Sequence, residues 1–362
     1  MNSPIKVQPG IMEIALYQGG ASHVAGHAEV LKLSSNENPL GPPPAAQAAV
    51  AASLAAMHRY PSTDHADLRA AIGAVHGLDP ERIICGVGSD EVLQFVTQSF
   101  AGPGDEILHT AHGFSMYPIL ARMAGATPVC VPEKDRVVDV DAILAGVTGR
   151  TRIVLLTNPG NPTGTRLPDA ELARLAEALP GDVVLVLDGA YTEYAQGYDG
   201  GVALVEAHPN LVMTRTFSKI YGLGGLRLGW GYAASEIIDV LNRVRQPFNL
   251  SPMQMAAGIA AVQDRDWVTR CAALNAEQRA RLQGALRQLG LACDDSAANF
   301  VLARFADEAE AVSADAALQA EGIIVRRVAG YGFAEGLRIT VGDAAQTGRV
   351  IDALTRWRET GA

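Results

Sequence analysis

Between residues 64 and 245, short runs of branched apolar residues alternate with stretches whose leucines and alanines recur every three or four positions. The runs at 82–85, 106–109, 127–131, 152–157, 183–188 and 211–216 are too short and too uniformly apolar for helices and read as strands buried on both faces. The stretches at 89–100, 117–124 and 168–179 carry helical spacing and begin at capping residues or prolines. Such alternation predicts an α/β fold, with a mainly parallel sheet sandwiched by helices and ligands at the carboxyl ends of its strands. After Pro247 the rhythm changes. A long helical pattern at 266–289 leads to strands at 299–304, 323–325 and 337–341, with helices at 311–320 and 343–358, the signature of a smaller α+β domain. The segment ending in Gly41-Pro42-Pro43-Pro44 is expected to pack on that second unit. The expected division is an N-terminal arm at 1–44, a large domain at 45–247 and a small domain at 248–362.

Composition narrows the classes. With 362 residues, 48% of them apolar and 19% charged, the chain holds enough core for two domains and no low-complexity tract. A net charge of −10 argues against nucleic acid, whose phosphates demand a basic face. The alanine-rich stretch at 45–57 is too short to span a bilayer, and Met1 to Lys6 lead into no apolar signal core, so a cytoplasmic protein without membrane contact is expected. Cys85, Cys130, Cys271 and Cys293 are far apart and fit a reducing compartment. His23 and His27 alone have a helical metal-pair spacing, but no carboxylate accompanies them in register, so no metal is expected.

The candidate chemistry centres on Lys219. Only four of the 29 basic residues are lysines, and this one lies in Thr216-Phe217-Ser218-Lys219-Ile220-Tyr221-Gly222, with Arg227 eight positions on. A primary amine can bind an aldehyde covalently, while Thr216, Ser218 and Arg227 are the hydroxyls and the guanidinium that a phosphate on that aldehyde would need. Upstream, Gly86-Val87-Gly88-Ser89-Asp90-Glu91 joins a strand to a helix. The free N–H groups there suit an anion, although Ser89 or Asp90 could equally be a simple N-cap. Asn158-Pro159-Gly160-Asn161-Pro162-Thr163-Gly164 doubles the Asn-Pro element of an ordinary turn, which marks Asn161 as a side chain held in place to donate to a ligand oxygen. Asp188 ends an apolar strand, either capping the next turn or pairing as a buried anion with a protonated pyridine nitrogen. Tyr191 follows three residues later and can donate to the same oxygen as Asn161.

Together these groups supply the contacts that pyridoxal 5′-phosphate (PLP) requires. Here the chain resembles the fold-type I PLP-dependent aminotransferases over nearly its whole length, and more closely the histidinol-phosphate aminotransferase family with its broad aromatic relatives. The resemblance is carried by Leu33-Ser34-Ser35-Asn36-Glu37-Asn38-Pro39-Leu40-Gly41-Pro42, Arg59-Tyr60-Pro61, Phe114-Ser115-Met116-Tyr117, the Asn158 to Gly164 loop, Thr216 to Gly229, and Leu337-Arg338-Ile339-Thr340-Val341-Gly342. Two positions depart from the pattern: Gly189, where relatives usually carry Glu, and Gly224, where alanine is common.

The resemblance implies further roles. Phe114 would stack on the pyridine ring, and Ser89 and Asp90 would join Thr216, Ser218 and Arg227 at the phosphate. Tyr60 would reach the phosphate of a second subunit, making a homodimer, or would be merely a half-buried aromatic. Arg338 would bind a substrate carboxylate or phosphate, or lie as a surface arginine on its strand. Asn36 would contact substrate. Arg326 and Arg327 compete for a second anion contact, with the family pattern favouring Arg326. Tyr17 resembles a tyrosine near the distal substrate phosphate, or anchors the N-terminal arm.

The implied reaction is transamination of L-histidinol phosphate with 2-oxoglutarate, with Lys219 and Asp188 as the catalytic pair. The alternative is an aromatic amino-acid aminotransferase acting on phenylalanine or tyrosine. Two rivals come from other classes. A transcription regulator would need a DNA-binding domain for which this acidic chain has no spare length, and a PLP decarboxylase would release carbon dioxide instead of forming glutamate.

Overall fold

The computed structural model describes residues 6–16 and 19–360. Seven strands build the central sheet: β1 (Ile83–Gly86), β2 (Glu106–Thr110), β3 (Thr127–Val131), β4 (Thr151–Thr157), β5 (Val184–Asp188), β6 (Leu211–Thr216) and β7 (Gly229–Ala233). Their order is β1-β7-β6-β5-β4-β2-β3. Neighbours from β6 across to β3 run parallel, whereas β7 is antiparallel to both β1 and β6. The chain is a fold-type I α/β protein.

Alternate side chains of each strand enter opposite layers, as the period of two demands. Leu185 and Leu187 face one apolar cluster and Val186 the other, and Val154 and Leu156 are likewise separated from Ile153 and Leu155. Each such fully buried aliphatic side chain contributes about 1.5–3 kcal/mol. The helix Ser89–Phe100 covers one face with Val92, Leu93 and Val96.

The strand β7 has no counterpart in the apolar pattern, because Gly229 and Gly231 interrupt it. The structure supplies the reason for the glycines. A Cβ at Gly231 would lie 2.8 Å from Val92 Cγ1, so the helix Ser89–Phe100 packs directly against backbone there.

Beyond the sheet, Ser251 and Gln254 form a capping box that opens the helix Pro252–Gln263. Sequence pattern groups this helix with the C-terminal part, yet its Ala257, Ala261 and Val262 share an apolar cluster with Leu68, Phe217 and Leu228. The long helix Arg265–Gln288 then leads to a three-stranded antiparallel sheet, ordered β8 (Phe300–Arg304), β10 (Phe333–Thr340), β9 (Arg326–Val328). The helices Glu308–Ala320 and Ala344–Glu359 cover it around Leu318, Ile339 and Leu354.

The single strand expected at 323–325 is divided in two. Ile323–Ile324 pairs in parallel with Leu31–Lys32, and the chain then joins the small sheet from Arg326. Leu33 enters the apolar cluster of this second sheet, so the N-terminal segment is tied to it.

Candidate active site

A cavity of about 520 Å³ opens at the carboxyl edge of the parallel strands. Thr157 ends β4, Asp188 ends β5, Thr216 ends β6, and the turn after β1 brings in Ser89 and Asp90. Asn36, Phe114, Asn161, Tyr191, Ser218, Lys219, Arg227, Arg326 and Arg338 also line it. Residues up to 304 positions apart thereby meet in one site.

At the floor, Asp188 is buried and accepts hydrogen bonds from Tyr117 Oη (3.1 Å) and Thr214 Oγ1 (3.2 Å). Tyr117 Oη also bonds Thr157 Oγ1. Burial raises the carboxyl group from its ordinary 3.8 to about 6, while the two donated hydrogen bonds hold it down. A buried carboxylate of this kind favours a cationic N–H as its partner.

Lys219 Nζ donates to the carbonyl of Ser35 at 3.1 Å and lies 5.8 Å from the centroid of the Tyr191 ring. Burial, followed by the nearby Arg338 guanidinium, brings the amine from 10.5 down to about 8. A minority of it, roughly a fifth near physiological pH, is therefore neutral and nucleophilic, far more than for an ordinary lysine. The Tyr191 hydroxyl accepts from Asn36 Nδ2 at 2.9 Å, and burial pushes the phenol up to about 12, so it stays protonated.

Asn36 was expected to meet substrate. Its side chain lines the cavity, but both ends of the amide are engaged. Nδ2 holds Tyr191, Oδ1 accepts from Thr340 Oγ1 at 3.1 Å, and the backbone carbonyl accepts from Asn299 Nδ2 at 2.9 Å. Asn36, on the N-terminal segment and held by Thr340 of the small sheet, orients Tyr191.

Asn161 Oδ1 accepts from Arg338 Nη1 at 2.6 Å, which leaves Nδ2 as the atom with which Asn161 can serve a ligand. Arg338 is buried and also donates to the Ser34 carbonyl at 2.8 Å. Arg326 lies opposite Arg338 in the register of β9 and β10, and both reach the cavity. Arg327 instead pairs with Glu308 at 2.8 Å. Of the two rivals, it is Arg326 that faces the site.

The far end gathers groups of the kind that bind anions. Gly88 has φ +80° and precedes the helix Ser89–Phe100, whose first N–H groups face the cavity. Arg227 donates to Ser218 Oγ (3.2 Å) and pairs with Asp90 at 2.8 Å. Thr216 Oγ1 accepts the Ser218 N–H at 3.1 Å. The backbones crowd so closely that a Cβ at Gly88 would lie 2.6 Å from Arg227 Nη2 and one at Gly229 would overlap the Ser89 nitrogen. Glu91 braces the turn, accepting from Val87 N and Asn249 Nδ2, each at 2.7 Å.

Tyr60 does not join this cavity within its own subunit. It is 83% exposed and stacks on Phe248 with ring centroids 4.7 Å apart. Tyr17 lies outside the described residues. At Gly189 the space a side chain would need is taken: a Cβ would lie 2.5 Å from Thr192 Oγ1 and 3.0 Å from the Thr214 carbonyl.

Tyr117 and Thr214, the two donors to Asp188, were missed by sequence reasoning. Thr214 had a usable signal, since it stands two residues before Thr216 on one strand and so shares its face. Tyr117 offered only its place one turn after Phe114. The described residues contain no group of His, Cys, Asp or Glu placed to hold a metal ion, and no helix long and apolar enough to cross a membrane.

A sequence model of the family described as aminotransferase class I and II matches residues 28–354. The histidinol-phosphate aminotransferase of Ruegeria pomeroyi is 68% identical over 355 residues, 98% of each chain. That of Jannaschia sp. is 62% identical, covering 98% of this chain and 99% of its own. Among solved structures, the histidinol-phosphate aminotransferase of Sinorhizobium meliloti in complex with pyridoxal-5′-phosphate superposes with a TM-score of 0.90 at 27% identity, with 100% of both chains covered.

Proposed function

Because this chain belongs to the histidinol-phosphate aminotransferase family, within the class I and II aminotransferases, we propose that it transfers the amino group of L-histidinol phosphate to 2-oxoglutarate. The products are imidazole-acetol phosphate and glutamate, and the cofactor is PLP. One observation carries the reading: the partly buried amine of Lys219, the buried carboxyl of Asp188 and the guanidiniums of Arg326 and Arg338 share a single cavity.

The donor set fits PLP. The glycine-tight turn of Gly88, with Ser89, Ser218 and Arg227, suits a phosphate, and the buried Asp188 would supply the anion that a ring N–H⁺ needs. Asn161 Nδ2 and the protonated Tyr191 hydroxyl are donors for the ring oxygen, and Phe114 supplies an aromatic face. Bound PLP contributes an aldehyde carbon that accepts amines and a ring that withdraws electrons from the substrate carbon.

The protein's part follows from its own groups. Lys219 Nζ, brought to about 8, would hold the cofactor's aldehyde and would serve as the base that takes a proton from the amine-bearing carbon of the substrate. Asp188, its charge favoured by the bonds from Tyr117 and Thr214, would hold a protonated ring nitrogen. Arg326 and Arg338 pair with the phosphate of the amine donor and, in the second half-reaction, with a carboxylate of the oxo acid.

The working unit in this reading is a homodimer in the cytoplasm. Leu54 (48% exposed), Met57 (62%) and Tyr60 (83%) lie on one segment, and the Tyr60–Phe248 stack joins them to another. Such a patch calls for a covering partner, and a second copy would bring Tyr60 to the neighbouring phosphate cradle.

The deciding experiment is steady-state kcat/KM for histidinol phosphate, phenylalanine and tyrosine with 2-oxoglutarate, read as glutamate formed. A preference for histidinol phosphate by orders of magnitude is expected. Equal or higher values for the aromatic acids would replace this reading with the broad aromatic one.

A further inference from the structure

We propose that Tyr331 is the specificity-determining wall of the cavity, the side chain that closes it to substrates larger than an imidazole. The proposal rests on the aminotransferase reading above. Beside the cavity lies a second, open cleft of about 810 Å³, lined by Ile14, Ile119 and Val325 together with the charged Arg122, Glu308 and Asp315. Among the described residues, only Gly19, Arg326 and Tyr331 line both spaces. Glycine has no side chain and Arg326 is the cation of the site. The Tyr331 ring is therefore the rigid uncharged bulk between the reaction chamber and a second, larger space that a bulkier substrate side chain could enter.

The wall is held rigidly. Tyr331 is 8% exposed, its hydroxyl bonds Ser115 Oγ at 3.0 Å, and its carbonyl lies 2.7 Å from His112 Nδ1. Gly332, at φ +87°, passes so close beneath His112 that an added Cβ would lie 3.2 Å from Cε1. The Phe333 ring then packs on the same imidazole with centroids 4.2 Å apart. Three consecutive residues of the small sheet's edge are thus seated on residues 112–115 of the large domain, next to Phe114. Swinging the ring aside would break several contacts at once, each hydrogen bond being worth about 1 kcal/mol. A larger substrate side chain meets a fixed surface, not a yielding one.

The test is a set of variants, Tyr331→Ala, Tyr331→Leu and Tyr331→Phe. Each is assayed by kcat/KM for histidinol phosphate, phenylalanine and tryptophan, with thermal melting and bound-cofactor absorbance as controls. The Ala and Leu variants are expected to raise the tryptophan-to-histidinol-phosphate ratio by roughly tenfold or more, as removing several ring carbons from a pocket wall should. The Phe variant keeps the bulk and should stay within a few-fold of the parent ratio. An unchanged ratio in folded Ala and Leu variants overturns the proposal. So does a shift in the Phe variant as large as that in Ala, which would assign the effect to the Ser115 bond. Failure of both smaller variants to fold assigns the ring to core packing and overturns it as well. The parent enzyme's own preference tests the substrate reading separately, because the wall is judged only on the change between parent and variant.

Discussion

Replacing Lys219 by methionine in the cofactor-stripped protein removes a partly buried amine while keeping an apolar stem of similar length. The amine's fall from 10.5 to about 8 on folding corresponds to roughly 3 kcal/mol of preference for the neutral form. Below about pH 8 the amine is charged in both the folded and the unfolded chain, and the folded state bears the whole cost of a partly buried ammonium. Between about 8 and 10.5 the folded chain has lost its proton while the unfolded chain keeps it, so the parent gains stability as pH rises. Above 10.5 the cost has gone. Packing differences and the lost bond to the Ser35 carbonyl shift the methionine variant by an amount that does not depend on this proton. The stability advantage of Lys219→Met over the parent should therefore shrink by roughly 3 kcal/mol between about pH 7 and about pH 10.5. Urea unfolding at matched subunit concentration, followed by circular dichroism, measures this difference. Parallel pH curves for the two proteins would refute the claim that the site depresses the amine. The same reasoning predicts that the rate of PLP capture by the stripped parent rises with pH to a midpoint of about 8.

Tyr117→Phe deletes a donor to Asp188 and raises its carboxyl group further, so the acid limb of kcat should move to higher pH by about one unit; superimposable pH profiles would remove Tyr117 from that role. Arg338→Lys keeps the charge but loses the fork that holds Asn161 and the Ser34 carbonyl. It should cost about 100-fold in kcat/KM for histidinol phosphate, and a parental value would count against Arg338 as the anion contact. Gly229→Ala forces a Cβ onto the Ser89 nitrogen, so calorimetry should show a loss of roughly 1–3 kcal/mol together with weaker cofactor retention. A variant with unaltered melting and cofactor absorbance would show that the strands can spread at no cost.

The division between what was legible along the chain and what was not follows the range of the interactions. Apolar runs of strand length, separated by helical spacing, are local facts, and they place β1 to β6 and the edge at which Lys219, Asp188, Asn161 and Arg227 stand. The antiparallel β7 was invisible because its glycines answer to Ser89 and Val92 on a helix more than a hundred positions earlier. Between Arg326 and Arg327, the family resemblance favoured Arg326 but strand alternation could not decide. A register shift between Arg327 and Val328 interrupts the simple alternation, and only the pairing of Arg326 with Arg338 decides which one faces the cavity.

Sequence by itself determined the class of fold, since periodicity and spacing act between near neighbours on the chain, and it nominated the candidate reacting groups. Tertiary structure alone decided how those groups are tuned. Asp188 owes its ionisation to Tyr117 and Thr214, Tyr191 owes its orientation to Asn36, and the cavity owes its wall to Tyr331. Each of these is a contact between distant segments, and burial and hydrogen bonding exist only once the chain has closed around them.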